Sequence, residues 1–68
     1  MKNNIRYYRE ENKLTQEDLA KRTGVSRQSI ISIEKGYYIP TSVLALKLSV
    51  VLKTKTEDLF ILENKDWK

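Results

Sequence analysis

The chain has 68 residues, enough for one domain near the lower size limit for folding without a disulfide or a bound metal. It contains neither cysteine nor histidine, which excludes a disulfide framework and the usual zinc sites. The formal net charge is +4; residues 1–35 carry eight basic against five acidic side chains and residues 36–68 five against four, a balance compatible with nucleic acid without requiring it.

The longest apolar runs, such as Leu59 to Leu62, are far too short to span a membrane. Met1 to Asn4 is polar and leads directly into a helical pattern, which predicts no signal peptide and a cytoplasmic protein. Ile5 and Tyr8 stand three apart and predict a first helix from about Asn4 to Asn12, closed by Asn12-Lys13.

The next two helix starts carry explicit signals. Thr15 is an N-cap with Asp18 at the third helical position, close to a capping box, and Leu14 and Leu19 form a hydrophobic staple. Eleven residues later the pattern recurs, with Ser26 as N-cap and Val25 and Ile30 as the staple. Gly24 supplies the left-handed residue between them, and Gly36 repeats that role after Lys35. Helices over 16–22 and 27–35 follow, joined by a tight turn.

Pro40 breaks the chain, and Thr41 caps a fourth helix from about Ser42 to Lys53 with Leu44, Leu48, Val51 and Leu52 on its core stripe. Thr56 is expected to cap a short turn over Glu57–Phe60. The apolar stretch Phe60–Glu63 reads as a short strand or an extended dock, and Asn64–Lys68 as loose apart from Trp67. There is no linker and no repeat, so residues 1–68 read as one domain.

Residues 16–35 form a unit. Ala20 is small where two helices must approach closely, and Val25, Ile30 and Ile33 point the third helix toward a core. That leaves Arg27, Gln28, Ser29, Ile31, Ser32 and Lys35 facing outward, and all except Ile31 can hydrogen-bond. Arg and Gln can form paired bonds to guanine and adenine edges. Their place in the first turn matters, because N-terminal residues of a recognition helix reach the bases. The same helix start, at Ser26, presents free N–H groups to phosphate.

The spaced set Gln16, Ala20, Gly24, Val25, Ile30 and Ile33 resembles the lambda-repressor/Cro (XRE-like) helix-turn-helix. The likeness runs over roughly residues 5–60, through Arg9-Glu10, Leu14-Thr15-Gln16, Ile33-Glu34-Lys35-Gly36, Pro40, Ala45-Leu46-Lys47 and Glu57-Asp58-Leu59-Phe60. Among small regulators it is most similar to the cytolysin-repressor-like single-domain dimers, which carry a short extra strand. The resemblance implies an all-α, five-helix DNA-binding domain, with a short C-terminal strand as an option. It also implies a homodimer on double-stranded operator DNA, usually in repression. By position, Arg27, Gln28, Ser29 and Ser32 would face bases, while Gln16, Ser26, Lys35, Tyr37 and Tyr38 would lie at phosphates. Gln16 would also steady the neighbouring glutamine, Gln28. Arg9 and Glu34 occupy the positions of a structural ion pair between the first and third helices.

Blander readings stand beside these. Arg27 and Gln28 suit a solvated helix start, and Arg27 can reach phosphate instead of a base. Ser29 can serve simply as a small residue at a close approach, Gln16 as an ordinary first helical residue, and the tyrosines as packing over the loop. Ile31, often polar in relatives, either meets a thymine methyl or leans on Tyr37 or Tyr38. Glu10, Glu11, Glu17 and Asp18 sit at helix ends with capping, dipole or solvent roles. With no cleft, histidine, cysteine or glycine-rich phosphate loop implied, no catalytic residue, metal site, cofactor or small-molecule ligand is expected.

The fourth helix has a second apolar stripe, Val43, Leu46 and Val50, nearly opposite the first. Leu46 and Val50, with Ile61 and Leu62 of the tail (61–68), are expected to build a two-fold interface; the alternative is that the tail alone covers the stripe. The function expected is sequence-specific transcriptional regulation, as a repressor on an inverted-repeat operator. The rival is a protein-interaction module or antitoxin on the same fold, and nonspecific nucleoid binding is a third reading.

Overall fold

The computed structural model describes all 68 residues and contains five α-helices and a two-stranded sheet. Five helices, α1 (Ile5–Glu11), α2 (Gln16–Thr23), α3 (Arg27–Glu34), α4 (Ser42–Val51) and α5 (Thr56–Leu59), follow in order. Strand β1 (Lys2–Asn3) precedes them, β2 (Phe60–Ile61) follows, and a 3-10 turn spans Asn64–Trp67.

Local chemistry sets the helix boundaries around the motif. The Thr15 hydroxyl accepts the Asp18 N–H at 3.0 Å, and the Asp18 carboxylate accepts the Thr15 N–H at 2.9 Å, completing a capping box. At α3 the Ser26 hydroxyl accepts the Ser29 N–H at 3.1 Å, with the Ser29 hydroxyl 3.0 Å away in place of a carboxylate. Gly24 lies at φ +77° and returns its N–H to the Ala20 carbonyl at 2.9 Å, ending α2 and turning the chain into α3. A side chain there would cost on the order of 1–2 kcal/mol in the left-handed region.

α1 to α3 end within one residue of the expected boundaries, and two later boundaries differ for a visible reason. α4 ends at Val51, because Lys53 leaves the helix at φ +55°. α5 begins one residue earlier than expected: Lys55, not Thr56, is the N-cap, with extended backbone and no side-chain cap, and its carbonyl accepts the Asp58 and Leu59 N–H groups.

The core consists of Ile5, Leu19, Ala20, Ile30, Ile33, Leu44, Leu48, Leu52 and Leu59, with Tyr8, Leu14, Val25, Val51 and Phe60 packed at its edge. α2 packs against both α3 and α4, and α5 against α4. The one buried polar residue, Thr23, donates its hydroxyl to the Leu19 carbonyl at 2.8 Å. Val43, Leu46 and Val50 are exposed, and neither the sheet nor the tail lines the shallow hollow they share with Arg22, Lys47 and Val51.

The strand expected near Phe60 finds its partner at the other end of the chain. β1 and β2 are antiparallel, Lys2 opposite Ile61 and Asn3 opposite Phe60. Beside this pair the Asn3 amide donates to the Ile33 carbonyl at 2.8 Å, and the Asn4 amide to the Asp58 carbonyl at 3.1 Å. The tail is ordered, contrary to expectation. Glu63 and Asp66 cap the 3-10 turn and meet the Met1 ammonium at 2.9 and 3.2 Å, so charge pairing ties this exposed segment to the other end of the chain. Trp67 stays exposed.

The capping box gives α2 a pH dependence. The Thr15 backbone N–H, then its hydroxyl, with Arg22 and Lys21 adding, hold the Asp18 carboxyl below its ordinary 3.8. A depressed folded-state value contributes stability above the ordinary value that is lost as pH falls through the folded one. The urea midpoint of the wild type is therefore expected to fall more steeply than that of Asp18→Asn between about pH 5 and pH 2. Parallel pH profiles would contradict this.

Candidate nucleic-acid interface

α3 buries Ile30 and Ile33, each 1% exposed, and half-buries Val25 just ahead of its N-cap. This fixes the rotation of the helix and leaves Arg27 and Gln28 exposed and Ser29, Ile31 and Ser32 half-buried along the outer side. No side-chain hydrogen bond or ion pair engages Arg27, Gln28, Ser32 or Lys35. Ser29 differs, because its hydroxyl is within hydrogen-bond distance of Ser26.

Two hollows flank this outer side. One lies between α1, the start of α2 and α3, with Arg6, Arg9, Arg27 and Lys35 outnumbering Glu17 and Glu34 on its walls, beside Gln16 and Ile31. The other gathers Ser26, Gln28, Ser29, Ser32 and Tyr38. The structure thus separates the six outward residues into a basic flank and a neutral, hydroxyl- and amide-bearing flank. Ile31 lines the basic side, whereas Tyr38 lines the other. Tyr37 is 81% exposed in the loop after α3, beside which Lys35 is also exposed.

Beneath the basic flank, Arg9 of α1 reaches Glu34 at the last turn of α3. Its Nε donates to Glu34 Oε2 at 2.7 Å and its Nη2 to Oε1 at 3.3 Å, while Nη1 donates to the Leu14 carbonyl at 2.9 Å. The two side chains are only 11% and 6% exposed. Gln16 Nε2 also donates to Glu34 Oε1, at 3.3 Å. Its amide therefore turns toward Glu34, whereas the resemblance pointed to Gln28, which lines the opposite hollow.

Three residues at this surface carry no mark that sequence reasoning used. Arg6 stands three residues before Arg9, a spacing that puts both on one helix face and could have served as a signal. Asn3, which ties the chain start to the end of α3, and Lys2 beside it follow no periodicity that marks them. No grouping of acidic residues suited to a metal occurs, and no helix is long and apolar enough to cross a membrane.

The sequence profile of the helix-turn-helix family matches residues 5–59. The chain belongs to that family. The regulator is 56% identical over 64 residues to an uncharacterised HTH-type transcriptional regulator of Methanocaldococcus jannaschii, an alignment covering 94% of this chain and 97% of that one. It is 41% identical over 66 residues to the HTH-type regulator YgzD of Bacillus subtilis, covering 97% and 100%. Among solved structures it is similar to the restriction-modification controller protein C.AhdI from Aeromonas hydrophila, with a TM-score of 0.76 and 32% identity over 82% of this chain and 85% of that one. It also matches a chain of the SinR–SinI complex, with a TM-score of 0.78 and 27% identity over 91% of this chain and 61% of that one. The protein is thus a DNA-binding, HTH-type transcriptional regulator with the lambda-repressor-like five-helix fold and a small two-stranded sheet, in a non-enzymatic family.

The Arg9–Glu34 pair makes the regulator sensitive to loss of either partner. Glu34→Ala leaves a largely buried guanidinium with only the Leu14 carbonyl as partner and is expected to destabilise the fold by about 3 kcal/mol. Arg9→Met with Glu34→Leu removes both charges and should recover most of that stability. Urea melts of the single and double variants decide it; a double variant as unstable as the single one would contradict the assignment.

Proposed function

We propose that the regulator is a sequence-specific repressor that binds an inverted-repeat operator as a homodimer, with α3 in the major groove of each half-site. The observation that carries this reading is the set of unpartnered polar tips, Arg27, Gln28 and Ser32, on a helix whose opposite side is anchored in the core. Gln28, Ser29 and Ser32 read base edges from the neutral flank. Arg27 adds a base contact at the start of the helix. Gln16, Ser26, Lys35, Tyr37 and Tyr38 hold the surrounding phosphates, which fixes register without reading sequence. Arg9 and Glu34 act from behind, setting the angle of α3.

Dimerisation is supported by α4. Val43, Leu46 and Val50 are 64%, 59% and 76% exposed, an apolar stripe with no cover from its own chain. Ile61 and Leu62 are exposed as well, but Ile61 lines the hollow of Lys2, Lys35 and Lys65 and not the α4 stripe, so the proposed two-fold surface is Val43, Leu46 and Val50, and the tail is left out of it. Binding successive faces of the major groove requires the two α3 helices of the dimer to lie about 34–36 Å apart. Repression then needs only that the dimer occupy DNA overlapping a promoter in the cytoplasm. The same stripe favours one second reading, attachment of a different protein: the SinR–SinI complex, to one of whose chains this fold is similar, is a pairing of two proteins.

Selection of duplexes from a random pool gives the preferred site and its half-site spacing. On that site Gln28→Ala is expected to cost on the order of 1–3 kcal/mol and to relax preference at one base position per half-site. Unaltered preference would remove Gln28 from the base contacts. Leu46→Glu is expected to halve the sedimentation mass at micromolar concentration; an unchanged mass would refute the α4 interface.

A further inference from the structure

A second cluster of cations lies at the C-terminal end of α3, outside the helix-turn-helix. Lys2 of β1, Lys35 after α3 and Lys65 of the 3-10 turn line one hollow, and Glu34 is its one carboxylate. That carboxylate is already taken by Arg9 and Gln16. Glu63 and Asp66 nearby are directed at the Met1 ammonium. Lys2 and Lys35 have no ion-pair partner, and Lys65 has only Glu63 at 3.8 Å with its side chain 74% exposed. Three exposed lysines thus line one hollow, with Glu63 the carboxylate nearest Lys65, and their ammonium groups are accessible to an anion.

This hollow shares Glu34 and Lys35 with the one that holds Arg6 and Arg27. Across the two hollows Arg6, Arg27, Lys35, Lys2 and Lys65 follow a single flank of α3 as a strip, with Glu17 on the wall of the Arg6 hollow and Arg6 also paired with Glu10 at 3.4 Å. Arg27 and Lys35 alone are eight residues apart, about 12 Å along a helix axis. A helix lying in a major groove turns its flanks to the groove walls, which are sugar and phosphate. A strip longer than α3 reaches beyond the bases that α3 can touch.

We infer that the β1–β2 clasp is a DNA-contacting element: it carries Lys2 and Lys65 onto backbone phosphates flanking each half-site. The inference rests on the DNA-binding reading above. It gives the terminal sheet a function in binding and enlarges the contacted site without enlarging the sequence that is read.

The test compares wild type, K2Q/K65Q, K2R/K65R and K55Q on the selected duplex and on a scrambled one, from about 50 to 200 mM salt. K2Q/K65Q is expected to weaken binding about tenfold at the lower salt, by the same factor on both duplexes. The slope of log affinity against log salt becomes shallower by about one for each phosphate no longer neutralised. The selected base preference stays that of wild type, and the arginine pair restores affinity and slope. K55Q, which lines none of these hollows, retains both. Wild-type affinity and slope in K2Q/K65Q would overturn the inference and leave the DNA-binding reading standing. A relaxed base preference in that variant would overturn the assignment to backbone. Failure of the wild type to bind any duplex would overturn both readings.

Discussion

At the end of α3 the Glu34 carboxylate joins three parts of the molecule. Arg9 brings α1 to it, Gln16 brings the start of α2, and the spare nitrogen of Arg9 holds the Leu14 carbonyl in the loop between them. A helix that gives one whole side to solvent has little apolar area with which to resist rolling, and α3 buries only Ile30 and Ile33 within its own length. Directional, charge-assisted hydrogen bonds supply what two isoleucines do not: they fix the azimuth of the helix as well as its depth. The placement of every outward side chain follows from that azimuth.

The rest of the fold distributes the same task. The staples at Leu14 and Val25 set the entry angles of α2 and α3, and the Gly24 turn makes the angle between those helices a property of the backbone. Asn3 adds an anchor at the far end by donating to the Ile33 carbonyl, which also accepts the Gly36 N–H at 3.0 Å in the turn that closes α3. Recognition geometry is thus held at the start by caps, along its length by core packing, and at its end by side chains from α1 and β1. Small domains have few apolar residues to spare. Polar anchors of this kind cost little chain length.

Most of what was legible in the sequence is local. Thr15, Asp18, Gly24 and Ser26 act within four residues of themselves, so their spacing alone placed α2, the turn and α3. The stripes of α4 were equally readable, because helical period and apolar spacing coincide there. The illegible features are non-local or too short to show a period. β1 is two residues, Lys2 and Asn3, without alternation, and it exists because Phe60 and Ile61 lie opposite. The tail reads as loose by composition and is ordered by carboxylates that meet an ammonium from the other end of the chain. Lys53 in the left-handed region and Lys55 as a cap without a side-chain bond both contradict residue preference, so no residue type marked them. Gln16 was identifiable as a polar residue at the motif's start, yet its partner depends on where α3 ends in space.

The pairing of Lys2 with Ile61 closes almost the whole chain into a single loop. Loop closure costs entropy that rises with the logarithm of the enclosed length, so this pairing and the neighbouring Met1–Asp66 contact have the most unfavourable encounters in the molecule. Helices joined by short turns form through nearby contacts on a fast timescale, whereas this meeting waits for α1 to α5 to bring the ends within reach. The Asn3 anchor on Ile33 belongs to the same late event. Maturation of the recognition surface is therefore coupled kinetically to completion of the chain fold, and a molecule whose ends have not met presents α3 without its last restraint.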